Sequence, residues 1–317
     1  MMVEHNQSAS VPSGVGYSNK YKFNGKELDD ATQMYYYGAR YYDPRISIFV
    51  SVDPLAEEYR DWNPYNYTMN NPINIIDPTG MGPETDYFDS YGNFEKRVND
   101  GSNAVKIYAA NTKKYISPSK MEVTRGSNSA LLKMAKYYRN EMKVSNKYLM
   151  GVAPSSSGAS GKENPAFTRR TNNINYFNNR GGYSPGLDDA NSFKSIIRHE
   201  NKHQINNGNP NFTDKGNITH AAVYLYQMKH QEFSDSPYQF QNSMVGSYMN
   251  YLYNYQEKGG DLFDIQDSIE SFNGLNTGFS IEQPSGPRSG TPKVESYDVK
   301  YKGKNIGKPQ YNLNNEE

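Results

Sequence analysis

The sequence predicts an α+β fold, and three observations carry that prediction. From Tyr21 the chain is dense in aromatics broken by turn formers, the vocabulary of short strands. Short strand-like segments recur between residues 86 and 108. After Ser127, apolar residues fall at helical spacing over 127–141, again after Asp188-Asp189, and again over 219–228 and 243–255. The expected arrangement is a short aromatic β-rich segment, then a domain with one central helix, a packed partner helix and a small sheet.

Composition narrows what such a chain can do. Its 317 residues exceed a usual domain of roughly 100–200, so two modest domains are expected. Hydrophobic residues make up 35% and the mean hydropathy is −0.92, but 29 Tyr and 13 Phe supply the apolar surface that aliphatic residues do not. The 34 Lys and Arg balance 34 Asp and Glu, so no net charge draws the chain to nucleic acid or an anionic membrane. With no cysteine, disulfides, thiolate metal ligands and a cysteine nucleophile are excluded, and a metal site must use His and carboxylate. No signal-type apolar stretch occupies residues 1–20, and no apolar run approaches the roughly 18 residues of a membrane span. A soluble chain without a spanning segment is expected.

In chain order, residues 1–20, rich in Ser, Gly and Asn, are expected to be a disordered lead-in. In 21–81, Asn24-Gly25 beside aromatic runs is a hairpin signal, and X-Pro steps at Pro54, Pro64, Pro72 and Pro78 rule out long helices. Residues 82–161 are expected to form a junction and accessory α+β region. There 86–94 is a strand, turn and strand, 104–108 a further strand, and Leu131, Leu132, Met134, Ala135, Tyr138 and Met142 mark a helix. The Ser/Gly-rich run 154–161 is expected to be a flexible loop or linker, with the main domain at 162–282 behind it. The last segment, 283–317, is expected to be an extended or disordered tail.

Four phrases in the early region belong together: Phe49-Val50-Ser51-Val52-Asp53-Pro54-Leu55, Asn63-Pro64-Tyr65-Asn66-Tyr67, Asn70-Asn71-Pro72-Ile73-Asn74 and Asp77-Pro78-Thr79-Gly80-Met81. Residues 21–81 thereby resemble the RHS repeat-associated core, the end of the YD-repeat shells that precede variable toxin domains in polymorphic toxin systems. The YD repeats themselves are absent, so the chain resembles a truncated or orphan tail of such a protein. RHS cores can release their cargo by self-cleavage near a D-P-x-G motif with aspartates as the catalytic groups. The resemblance makes Asp77 the candidate junction, although Met81 replaces the usual Leu or Trp and Asp-Pro-x-Gly is also an ordinary turn sequence.

The chemistry concentrates further on. Asp188-Asp189 lead into Phe193, Ile196, Ile197, His199, Glu200 and His203, and Asn207-Gly208-Asn209-Pro210 ends the run, which predicts a helix. Residues four apart share a helix face, so His199 and His203 can aim both imidazoles at one cation. Glu200 lies about 100° round, placed to hold a water rather than the metal. This H-E-x-x-H pattern resembles the zincin metallopeptidases. The bland alternative is two surface histidines on an amphipathic helix.

A catalytic zinc usually takes three protein ligands and keeps one position open. His5 lies in the lead-in and is dismissed. His220 opens the partner helix, and an antiparallel helix pair would bring it towards the first two histidines. Glu232 is the rival: gluzincins supply a downstream Glu, and Gln231-Glu232-Phe233-Ser234-Asp235 resembles their signature with the acidic partner one residue early. His230 or an Asp complete the choices. The phrase from His220 to His230 resembles one found in metallopeptidase toxins carried on RHS proteins, which favours His220. The third His of metzincins is absent, since Asn209 stands at its position.

Together the resemblances imply a zinc metallopeptidase effector used in bacterial competition. Zn2+ would sit on His199, His203 and His220, or Glu232 in place of the last, with Glu200 as general base. A protein or peptide would be the substrate and a cognate immunity protein the partner. The chain would be cytoplasmic in its producer before delivery as a secreted effector. Zincins place an edge strand above the active-site helix to bind substrate, and 172–177 is the nearest candidate. Arg169-Arg170 and Lys113-Lys114 are expected to be solvated surface rather than nucleic-acid contacts. The other function classes to weigh are an inactive zinc-binding interaction module and a degenerate RHS remnant.

Overall fold

Alternating tyrosines build the first of two compact units, Met1–Pro83; the second is Glu84–Glu317. The computed structural model describes residues 26–53, 56, 63–68, 77, 80, 84–145, 147–275, 277–283 and 293–307. The lead-in at 1–20, with His5, and the Asn24-Gly25 turn lie outside the described residues.

In the first unit β1 (Glu27–Asp29), β2 (Met34–Tyr36), β3 (Tyr41–Asp43) and β4 (Ile48–Phe49) pair in sequence order as an antiparallel meander. Successive side chains of a strand point to opposite faces. The cross-strand partners Tyr35 and Tyr42 are accordingly buried, while the adjacent pair Tyr36 and Tyr41 is exposed. Tyr37, Phe49 and Tyr67 complete the aromatic core, with Phe49 edge-on to Tyr37 at 5.4 Å and to Tyr67 at 5.6 Å. Arg40 is also buried, its guanidinium 3.7 Å over the Phe49 ring, 2.9 Å from Asp53 and 3.5 Å from Asp77. Asp77 accepts a hydrogen bond from the Gly80 N–H at 2.8 Å, and Gly80, at φ +80°, offers its carbonyl to Arg40 Nε. Asp77 and Gly80, the two described residues of the D-P-x-G phrase, are thus bonded to each other.

The second unit begins with β5 (Glu84–Phe88), β6 (Phe94–Asn99), β7 (Val105–Ala109) and β8 (Lys114–Ile116), in sheet order β6-β5-β7-β8. Helix α1 (Arg125–Glu141) starts at a capping box in which Thr124 and Ser127 satisfy each other's backbone N–H groups. β9 (Met150–Ala153), β10 (Ala166–Arg169) and β11 (Ile174–Asn178) make a second sheet in the order β10-β11-β9. The segment 172–177, expected as the edge strand, therefore supplies the middle strand, and β10 lies at the edge. Alternation identifies a strand but says nothing about which of its sides is paired.

Five helices follow: α2 (Ala190–Asn207), α3 (Asn217–Met228), α4 (Gln231–Ser234), α5 (Tyr238–Glu257) and α6 (Leu262–Asn273). The unit closes with β12 (Phe279–Glu282), β13 (Asp298–Tyr301) and β14 (Lys304–Gly307), an antiparallel sheet. Part of the expected extended or disordered tail is therefore packed sheet. Tyr297 and Val299 are buried and Tyr301 packs beside them, a period-2 face diluted by the lysines around it.

The run 154–161 also differs from the expected flexible linker. The buried Ser155 donates its N–H to Asn178 Oδ1 at 3.1 Å, and Arg180 donates to the Ser155 carbonyl at 2.7 Å. Asn178 Nδ2 donates to the carbonyls of Ala159 and Asn164, both at 3.0 Å. Composition signals a loop but not the anchor that holds it, which lies more than a dozen residues away.

Two cores result. One joins the first sheet of this unit to α1, α2 and β11 through Phe88, Ile107, Leu131, Tyr138, Phe177 and Phe193. The other joins α3, α5 and α6 to β12 and β13 through Met228, Leu252, Ile265, Phe272, Ile281 and Val299. Helices α2 and α3 pack together where the cores meet. Among the described residues no helix is long and apolar enough to cross a membrane.

Candidate metal centre

Helix α2 is fixed at its start by Asp189, whose carboxylate accepts from the Ser192 N–H at 2.7 Å and hydroxyl at 2.8 Å. Burial raises this carboxyl to about 6. Two rows of residues four apart then run down the helix. His199 and His203 form the row facing α3; Glu200 and Gln204 form the row facing β10 and β11.

Helix α3 answers with a row of its own, His220, Tyr224 and Gln227. It starts at Gly216, whose φ of +67° suits glycine. The Nε2 atoms of His199, His203 and His220 lie 3.3 Å apart in all three pairs. Gln227 Nε2 donates to Ser195 Oγ at 3.0 Å, so Gln227 turns its carbonyl oxygen to His199 Nδ1 at 2.9 Å. The His199 hydrogen then sits on Nδ1 and its Nε2 lone pair faces the other two rings. Tyr251 of α5 stacks on His220 at 4.0 Å and 11°, and Tyr224 meets His199 edge-on at 4.5 Å.

Burial keeps these imidazoles neutral. It lowers His199 to about 4, against a smaller opposing effect of the Gln227 hydrogen bond. His203 and His220 fall well below their usual value, through burial first, then through the neighbouring imidazoles and Arg170. Neutral imidazole is the form that binds metal, and the three nitrogens can hold one ion.

Glu200, buried beside them, has Oε2 2.7 Å from the Thr168 hydroxyl. It lines one cleft with the three histidines, Tyr224 and β10. Glu232, the rival third ligand, is not in the histidine group: from α4 it pairs with Arg198 at 2.9 Å. His230 also lies apart, its ring 4.8 Å from Tyr226. Arg169 stacks over Tyr176 at 4.8 Å and Arg170 pairs with Asp214. Sequence reasoning missed Gln227, Tyr224, Tyr251 and Thr168. Tyr224 and Gln227, four and seven residues after His220, were visible as one helix row; the other two come from separate elements and left no such signal.

The family described as metallopeptidase toxin 2 matches residues 86–278, more than half of the chain, and its description implies a bound metal. A shorter stretch is similar to larger proteins. The tRNA(Glu)-specific nuclease WapA of Bacillus subtilis subsp. natto is 42% identical over 65 residues, 20% of this chain and 3% of that protein. Toxin subunit YenC2 of Yersinia entomophaga is 45% identical over 62 residues, 20% of this chain and 6% of the subunit. Toxin subunit YenC1 of the same organism is 40% identical over 77 residues, 24% of this chain and 8% of the subunit. The match thus spans 8% or less of these relatives' own length. No solved structure matches. With more than half of its residues matched, and with the histidine group inside the matched range, the chain belongs to the metallopeptidase toxin 2 family.

Proposed function

We propose that the second unit is a zinc-dependent metallopeptidase effector domain, carried behind the end of an RHS-type shell at 21–81. The observation that carries this reading is the triangle of three neutral imidazole nitrogens with Glu200 in the same cleft. A tetrahedral zinc with bonds of roughly 2.0–2.1 Å to nitrogen separates its ligands by about 3.3–3.4 Å, which supports zinc on His199, His203 and His220. When bound, zinc supplies a Lewis acid that polarises the scissile carbonyl and acidifies water.

The chain's own residues do the rest. Glu200 takes a proton from the attacking water and returns it to the leaving amine. Gln227 keeps the His199 ring turned with Nε2 inward, and Tyr251 holds the plane of His220. The substrate peptide lies along the outer side of β10, an edge strand that lines the cleft. That cleft, about 1370 Å3, exceeds the roughly 300–1,000 Å3 of small-molecule pockets and suits a polymer. Equal numbers of basic and acidic side chains favour a peptide over the nucleic acid that the WapA name would suggest.

As an effector, the domain would stay in the producer's cytoplasm, restrained by a cognate immunity protein, until delivery. Asp77 is the candidate release junction on its D-P-x-G phrase alone. Its carboxylate already serves Gly80 and Arg40, so intact mass should read as one full-length species; a product cut at Asp77 would establish the junction.

Digestion of unfolded casein tests the activity. Glu200→Gln should lower the rate by about 10²–10⁴-fold with zinc content unchanged. Equal rates for wild type and variant, or cleavage of tRNA but not of casein, would contradict the proposal.

A further inference from the structure

We infer that Thr168 is the positioning residue for Glu200, fixing its carboxyl through a polar ladder that ties the base to the edge strand β10. The inference rests on the peptidase reading above for its consequence, but its geometry stands independently.

The ladder has a defined direction. Gln204 Nε2 donates to two backbone carbonyls, Leu149 at 2.9 Å and Asn173 at 3.0 Å, which leaves Gln204 Oε1 as an acceptor. Asn175 Nδ2 fills it at 2.8 Å, so Asn175 turns its Oδ1 towards Thr168, 2.7 Å from the hydroxyl oxygen. Thr168 and Asn175 are direct cross-strand partners of β10 and β11, and share the face turned to α2. Glu200 Oε2 completes the row, also 2.7 Å from Thr168 Oγ1. Asn175, Gln204 and Glu200 are all buried, and the half-buried Thr168 carries the row to the cleft.

One hydrogen on Thr168 stands among three acceptors: Asn175 Oδ1 and Glu200 Oε2, both at 2.7 Å, and the Glu200 carbonyl oxygen at 3.2 Å. The hydroxyl donates to the Glu200 carboxylate when that group is ionised. When the carboxyl carries a proton taken from water, it can donate to Thr168 Oγ1 while the Thr168 hydrogen turns to Asn175 Oδ1. The same contact therefore holds the carboxyl in place on both sides of the proton transfer. A helix fixes only the backbone of Glu200; its long side chain keeps rotamer freedom that must be removed for the base to present one oxygen. Because Thr168 belongs to the strand along which substrate would lie, peptide and base share one support.

The test compares full-length, zinc-loaded wild type, Thr168→Val and Thr168→Ser on a quenched fluorescent peptide mixture, with zinc content measured in each. Thr168→Val should lower kcat by about tenfold to a hundredfold with KM within about twofold and zinc content unchanged, and Thr168→Ser should restore kcat to within about threefold. Unchanged kcat in Thr168→Val, or a Thr168→Ser chain as impaired as Thr168→Val, overturns the inference. Should wild type cleave no peptide, the peptidase reading fails, and crystal structures of wild type and Thr168→Val decide the positioning claim alone. A Glu200 carboxyl displaced only in the variant supports it; one that keeps its place in both overturns it.

Discussion

Each unit buries a polar cluster among aromatic rings, and the two clusters are balanced in opposite ways. In the first, Arg40 lies over Phe49 with Asp53 and Asp77 against its guanidinium, so opposite charges meet within the cluster. Burial lowers the Arg40 pKa and the two carboxylates push it back up. In the second, three imidazoles converge beside Tyr224 and Tyr251, and burial makes them neutral. Three lone-pair donors turned inward form an arrangement that a cation completes. Burial of charge is therefore not in itself a functional signal; the difference is whether the cluster satisfies itself.

Removing the histidines should have the largest effect. His199→Ala with His203→Ala should take zinc from one per chain to none by elemental analysis; retained stoichiometric zinc would place the metal elsewhere. Arg40→Met should destabilise the first unit by about 3–5 kcal/mol, since it removes the cation that faces the buried Asp77 and the half-buried Asp53, and amide exchange at Tyr42 would read the loss. Zinc content should not change in that variant. Gln227→Leu sharpens the contrast within the second cluster. It removes the partner that orients His199, so zinc affinity should fall by about 10–100-fold in competition with a chelator.

The smallest expected effect is on acid stability without metal. An imidazole lowered in the folded chain contributes stability that is complete above its unfolded value near 6.5 and is lost as pH falls towards the folded value, about 4 for His199. Asp189, raised to about 6, works in the opposite sense: its contribution is complete below the ordinary carboxylate value and lost as pH rises through 6. With three histidines against one aspartate, the melting temperature of metal-free protein should drop between pH 7 and 5. The drop should shrink in the double histidine variant.

Helix α2 was legible because its signals are local: Asp189 before it, Gly208 after it, and His199 and His203 one turn apart. His220 was legible as a histidine opening the next helix, though not to the exclusion of Glu232. Contacts between distant segments were not. The pairing that puts β11 in the middle of its sheet, and the anchoring of Ser155 by Asn178, involve partners that periodicity does not name. Helix α6 passed unread although Asp261 caps it and Ile265, Ile269 and Phe272 follow helical spacing, because acidic residues crowd the same stretch. In β13, Val299 is a lone aliphatic between lysines and an aspartate, and only the cores it joins reveal it as interior.

Anomalous scattering at the zinc edge from crystals of the chain grown with zinc would locate the metal. One peak is expected, within about 2.0–2.1 Å of the Nε2 atoms of His199, His203 and His220. Absence of a peak there, or a zinc held by Glu232 in place of His220, would contradict it.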